Sequence, residues 1–150
     1  DIEPDKHNMD RAENIRIEDC LIRNNQGNGI LVYHRVSEVV ITGCQIERND
    51  GFGILTIGTK AGNISANRIG HNRLDGLSIS VDTRDYAAGG NYFRNNTTRN
   101  HGIVGASLAW SATNWSRMTG QVSGRNGTQS HLGVSDTASN IRINANFYSK

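Results

Sequence analysis

Along the first two thirds of the chain, hydrophobic positions come in pairs two residues apart: Ile15 and Ile17, Cys20 and Ile22, Ile30 and Val32, with Ile54 and Thr56, then Leu77 and Ile79, continuing the pattern. A period of two places alternate side chains on one face of an extended strand. The pairs are separated by Asn, Gly and Asp, residues that turn a chain sharply. The pattern therefore predicts three short strands per unit and leaves no room for a helix between them.

The units repeat. Residues 14–36, 38–60 and 61–84 superpose almost without gaps, and four columns mark the period: Cys20, Cys44, Asn67, Asn91; Ile22, Ile46, Ile69, Phe93; Asn25, Asn49, Asn72, Asn96; Gly29, Gly53, Gly76, Gly102. A repeat of 23 or 24 residues built from strands is one coil of a β-solenoid, and the leucine spacing of a leucine-rich repeat is absent. Parallel stacking brings successive coils about 4.8 Å apart and turns each column into a ladder of like side chains. The Ile22 column is expected in the core. The Asn25 column is expected at corners, where Asn tolerates left-handed backbone and stacked amides bond to one another.

Beyond Asn96 the repeat loosens. His101-Gly102-Ile103 reads as the next Gly-Ile strand, followed by a longer connection carrying Trp110 and Trp115, which are expected either to plug the loosened coil or to stack on sugar rings. A fifth coil is drawn from Met118 to Val134, and a sixth begins at Asn140, whose run to Asn146 mirrors Asn14 to Cys20. The expectation is an all-β, single-stranded right-handed parallel β-helix of about six coils of 23–26 residues. It forms one domain over residues 1–150, regular over 14–103 and irregular over 104–150. Asp1-Ile2-Glu3-Pro4 reads as the end of a preceding strand, so the sequence is expected to be a segment of a larger chain with open ends.

Composition narrows the partners. The 150 residues carry a net charge of +2, 35% hydrophobic and 6% aromatic side chains, 17 Gly, 18 Asn and one Pro. The Lys and Arg residues are spread without a block, which argues against nucleic acid. No apolar run approaches the roughly 20 residues of a membrane span, so no membrane insertion is expected. Cys20 and Cys44 lack the CxxC spacing of a zinc or redox site, and parallel side-chain directions are poor disulfide geometry. Two free, buried thiols are expected, with no metal and no cofactor.

The pattern N-I-x-I-x-x-C/N-x-I-x-x-N-x-x-x-G-I, carried by Asn14 to Ile30 and its copies, resembles the repeat of the pectate-lyase-like superfamily, which includes pectate lyases, polygalacturonases, alginate epimerases and phage tailspikes. The resemblance covers most of residues 14–103. It implies a glycan in a shallow groove along one prism face, and an extracellular or virion setting. The catalytic signatures do not carry over: there is no Asp-Asp dipeptide with a downstream Gly-His-Gly, and no Asp-Pro-His.

The loops after each Gly-Ile strand supply the best chemistry. His34 and Arg35, Lys60, and then Asp82, Arg84, Asp85 and Tyr86 fall at similar offsets in successive repeats, so they are expected on one edge of the prism. Asp82 and Asp85 are the candidate catalytic carboxylates. His34, Arg35, Lys60, Arg84 and Tyr86 are the candidate substrate-binding groups. The alternative is a set of solvated loop charges. Leu31, Tyr33, Leu55, Ile57 and Val104 point outward by strand parity, a stripe suited to a homotrimer interface or to cover by another segment. The leading expectation is a polysaccharide-binding or polysaccharide-degrading segment of a phage tailspike. The alternatives are a non-catalytic trimeric shaft or glycan-binding module, and a bacterial uronan lyase or epimerase.

Overall fold

A computed structural model describes residues 1–4, 11–80, 82–96, 132–134, 138–144 and 146–149. The first coil holds β1 (Ala12–Glu18), β2 (Leu21–Arg23) and β3 (Ile30–Tyr33), and the second β4 (Val36–Thr42), β5 (Gln45–Glu47) and β6 (Ile54–Ile57). The third holds β7 (Lys60–Ser65), β8 (Arg68–Gly70) and β9 (Leu77–Ile79), and further rungs follow as β10 (Arg84–Gly89), β11 (Tyr92–Arg94), β12 (Leu132–Val134), β13 (Arg142–Asn144) and β14 (Phe147–Ser149). These strands make three parallel sheets ordered β1-β4-β7-β10-β13, β2-β5-β8-β11-β14 and β3-β6-β9-β12. The solenoid thus has three complete consecutive turns and shorter rungs beyond them.

The expected register holds through these turns. Ile22, Ile46, Ile69 and Phe93 are Cα partners, and Ile46, Ile69 and Phe93 are buried. Ile17, Ile41, Ile64 and Ala88 form a second inward column. The Gly column has a packing cause: a Cβ on Gly53 would lie 2.6 Å from Ile69 Cγ2, so no larger residue fits where the corner closes over the core.

The asparagines form two ladders. Asn25, Asn49 and Asn72 each donate Nδ2 to the Oδ1 of the next ladder residue at 2.8–2.9 Å, ending at Asn96. Asn67 and Asn91 do the same toward Asn146. The ladder asparagines are not the left-handed residues, however. That conformation belongs to the residue just before each: Asn24, Arg48, His71 and Asn95 have φ of 49–59°. Asn serves here through its amide and not through backbone tolerance.

Two expectations are corrected. Leu132–Val134, drawn as part of a fifth coil, pairs with β9 and is the fourth rung of the third sheet; the expected strand at Gly102-Ile103 lies outside the described residues. β13 stacks directly on β10, and among the described residues the rungs number five at most in any sheet. Cys20 is exposed and only Cys44 is buried, although both are free thiols; burial raises the Cys44 pKa. Ile2 bridges Val32 in parallel, as expected of a strand end preceding β3. Val104, Trp110, Trp115 and Met118 lie outside the described residues.

Candidate functional site

The corner where β3, β6 and β9 lead into β4, β7 and β10 positions the candidate groups. His34 and Arg35 join β3 to β4, Gly58 and Thr59 join β6 to β7, and Asp82 lies between β9 and β10. Lys60 and Arg84 open their strands as direct Cα partners. The third corner is closed by a turn in which Thr83 N–H donates to the Ser80 carbonyl at 3.1 Å. Left-handed backbone at Arg35, Gly58 and Asp82, with φ of 56–61°, turns the chain within each corner.

These corners stack into an open groove of about 510 Å³ that brings together His34, Arg35, Lys60, Asp82 and Arg84. Five of the seven sequence-derived residues therefore share one site. Arg11, Glu13 and Glu38 line it as well and were not singled out from the sequence. Their signal was strand register: Glu13, Ser37, Lys60 and Arg84 form one column across four rungs. Among the described residues, the side chains of Arg35, Lys60 and Arg84 have no hydrogen-bond or ion-pair partner. The groove thus holds four cations against three carboxylates, and three of those cations are available to a ligand.

His34 is held in place. Its ring meets Tyr33 edge-on, with centroids 4.2 Å apart and planes at 77°. A Cβ on Gly58 would overlap that ring, so glycine one coil up is what leaves space for the imidazole at the groove wall.

Asp85 stands apart. It lines an adjoining compartment of about 280 Å³ with Asn14, Arg16 and Asn63, which shares Glu38 and Ala61 with the groove. The two candidate carboxylates are therefore divided between compartments. Asn140 Nδ2 donates to Asp85 Oδ1 at 2.7 Å. Asp85 also belongs to a column of left-handed bends, Asn14, Glu38, Ala61, Asp85 and Asn140, with φ of 53–60°. An Asp at such a bend has a backbone reason to be there.

Tyr86 is a correction. It is 1% exposed and accepts a hydrogen bond at its hydroxyl from Thr59 Oγ1 at 3.0 Å, inside the prism. Its strand parity is that of Ala88, an inward position, and offset from the preceding glycine concealed this. Burial pushes its pKa from 10.0 up to about 12. The folded protein thus holds this proton more tightly than the unfolded chain. The stabilisation is complete below pH 10 and is lost as pH rises through 12, a span of about 2–3 kcal/mol. We expect stability to fall more steeply between pH 10 and 12 in the wild type than in Tyr86→Phe, measured by urea midpoints; parallel curves would refute it.

The outward stripe is also less open than its parity implies. Leu55 is only 4% exposed, and Leu31, Tyr33 and Ile57 are half-buried. Among the described residues, no group of three or more His, Cys, Asp or Glu side chains is placed to hold a metal ion, and no helix is long and apolar enough to cross a membrane.

A family profile described as right handed beta helix region matches residues 7–148. The chain belongs to that family. No curated protein and no solved structure matches it. In this β-helix the groove is a product of the coil period: each turn adds one corner, and each corner adds charged side chains to the same edge. What the arrangement can do chemically is hold an extended, negatively charged ligand along the stack, beside a carboxylate, Asp82, and an imidazole, His34.

Proposed function

We propose that this β-helix binds an acidic polysaccharide along the corner groove, as the polysaccharide-binding or polysaccharide-degrading part of a tailspike-type protein acting outside the cell or on a virion. The observation that carries the reading is the set of unpaired cations on successive coils, Arg35 at one corner and the register partners Lys60 and Arg84 beyond it, beside Asp82. Strand spacing puts neighbouring rungs about 4.8 Å apart, so a polymer with regularly spaced carboxylates would meet one cation per coil. An Arg fork donates two parallel hydrogen bonds to a carboxylate, which fixes orientation as well as charge. If a bond is broken, Asp82 is the candidate carboxylate inside the groove, with His34, Glu13 and Glu38 as further groups of proton-transfer chemistry there. Asp85 stays a second carboxylate candidate from the adjoining compartment.

The test is a panel of uronate-containing, sulfated and neutral polysaccharides, followed by binding and by the appearance of reducing ends or unsaturated uronate. Acidic polymers are expected to bind with an affinity that falls as salt screens the charges. Arg84→Glu should weaken binding by ~10-fold or more. Asp82→Ala should abolish cleavage while leaving the unfolding midpoint in place. Equal binding of neutral polymers, or an unchanged affinity in Arg84→Glu, would end this reading.

A non-catalytic homotrimeric shaft or glycan-binding module is the second reading, favoured by the outward apolar residues Leu31, Tyr33 and Ile57. It predicts a trimer mass by light scattering that Ile57→Asp reduces to a monomer. Ile57 is the better probe because Leu55 is buried and its replacement would also disturb the coil.

A further inference from the structure

The sheet formed by β2, β5, β8, β11 and β14 occupies a different side of the prism from the groove. Its inward column is Ile22, Ile46, Ile69 and Phe93, so the flanking positions face out. One outward column runs Gln45, Arg68, Tyr92 and the other Glu47, Gly70, Arg94, each as successive Cα partners. Every one of these except Gly70 projects a side chain. The missing side chain opens a pit of about 220 Å³, floored by Gly70 and Ile69 and walled by Arg68, Tyr92, Arg94, Glu47, Gln45 and His71. Arg94 closes over the gap closely enough that a Cβ on Gly70 would lie 3.0 Å from the Arg94 carbonyl oxygen.

Two guanidinium groups flank the pit, and among the described residues neither has a hydrogen-bond or ion-pair partner. Unpaired Arg forks on two sides of a small cavity recognise a planar carboxylate or a tetrahedral sulfate. Tyr92 adds an aromatic plate, whose face accepts the apolar side of a ring and whose edge is polar. Glu47 has the opposite effect on charge: it repels a bare anion and accepts hydrogen bonds from hydroxyl groups. The volume lies below the roughly 300–1,000 Å³ of clefts that hold drug-sized ligands, so the pit suits a single ring.

We propose that this pit is a binding site for one anionic sugar ring, carrying either a carboxylate or a sulfate ester, separate from the corner groove. It uses none of the groove's residues, so either site can exist without the other.

The test is a ¹H–¹⁵N NMR titration with methyl glucuronoside and with glucose 6-sulfate, alongside methyl glucoside and inorganic sulfate. The amides of Gly70, His71 and Arg94 should shift with one or both anionic sugars, and the stronger of the two identifies the anion. Arg68→Gln and Arg94→Gln, both at exposed positions, should each weaken that binding by ~10-fold or more. Lys60→Ala, in the groove, should leave it unchanged. The proposal is overturned if these amides do not move, if methyl glucoside binds as well, or if inorganic sulfate alone matches the sugars. An unchanged affinity in the two Arg variants overturns it equally.

Discussion

Asn72→Ala should cost this β-helix about 3–5 kcal/mol, a large part of the 5–15 kcal/mol that stabilises an ordinary domain. The buried amide of Asn72 makes four bonds. Its Oδ1 accepts from the backbone N–H of Asn49 at 3.1 Å and from Asn49 Nδ2 at 2.9 Å. Its Nδ2 donates to Asn96 Oδ1 at 2.9 Å and to the Ile46 carbonyl at 3.2 Å. Alanine would remove all four bonds, leaving the Asn49 backbone N–H an orphan and the other three groups one bond short: Asn49 Nδ2 keeps the Ile22 carbonyl at 3.5 Å and Asn96 Oδ1 keeps the Asn72 N–H at 3.1 Å. An orphan of that kind costs about 1–3 kcal/mol and each further lost bond about 1 kcal/mol, and the costs are not fully additive because the four groups belong to one network. Asn28 provides the comparison. Its Oδ1 accepts only from Phe52 N–H, at 3.0 Å, and the residue is half-buried. Asn28→Ala should cost about 1 kcal/mol. Urea unfolding of the two variants checks this, and equal losses would mean that the ladder amides are ordinary corner bonds.

Gly62→Val should destabilise by about 2–3 kcal/mol through overpacking, and Tyr86→Ala should largely relieve it. Ile15, Val39, Gly62 and Tyr86 form one inward column of the first sheet. The largest member sits directly above the smallest, and a Cβ on Gly62 would overlap Cε1 and Cζ of the Tyr86 ring. The phenol is inside the prism because its neighbour has no side chain. Tyr86→Ala alone empties that space and should cost about 3–5 kcal/mol. The double variant puts the valine into the vacated volume, so its loss should fall short of the sum by at least about 1 kcal/mol. Additive losses in a thermal or urea cycle would show that ring and glycine do not compete for the same space.

The first three coils were legible because every rung obeys the same chemistry. Ile46 packs on Ile69, Asn49 bonds Asn72, and the residue types of one repeat announce those of the next. Leu132–Val134 was assigned one coil too late for a local reason. Gly102-Ile103 copies the Gly-Ile dipeptide of earlier rungs, whereas the rung that pairs with β9 begins at Leu132 and has no such dipeptide before it. Membership of a parallel ladder is decided by fit to the strand below, with Leu132 opposite Leu77 and Val134 opposite Ile79. Short-range pattern cannot weigh that fit across a long separation in sequence. The charged corner was legible from offsets, since His34, Lys60 and Asp82 occupy equivalent turns. Tyr86 was misplaced because an offset counted from a glycine ignores strand parity, and Glu13 was missed because it opens the groove from a strand and not from a loop.

The two amide ladders share a polarity. In both, each NH₂ group faces the following coil and each oxygen the preceding one, from Asn25 to Asn96 and from Asn67 to Asn146. Amide dipoles aligned head to tail reinforce one another, as peptide dipoles do in an α-helix. The solenoid therefore has an electrical direction along its axis, built from side chains and not from backbone. A coil joins the stack on its later side by presenting an amide oxygen, and on its earlier side by presenting an amide N–H. A coil inserted backwards would face oxygen with oxygen, so the ladders enforce a single sense of winding from one turn to the next.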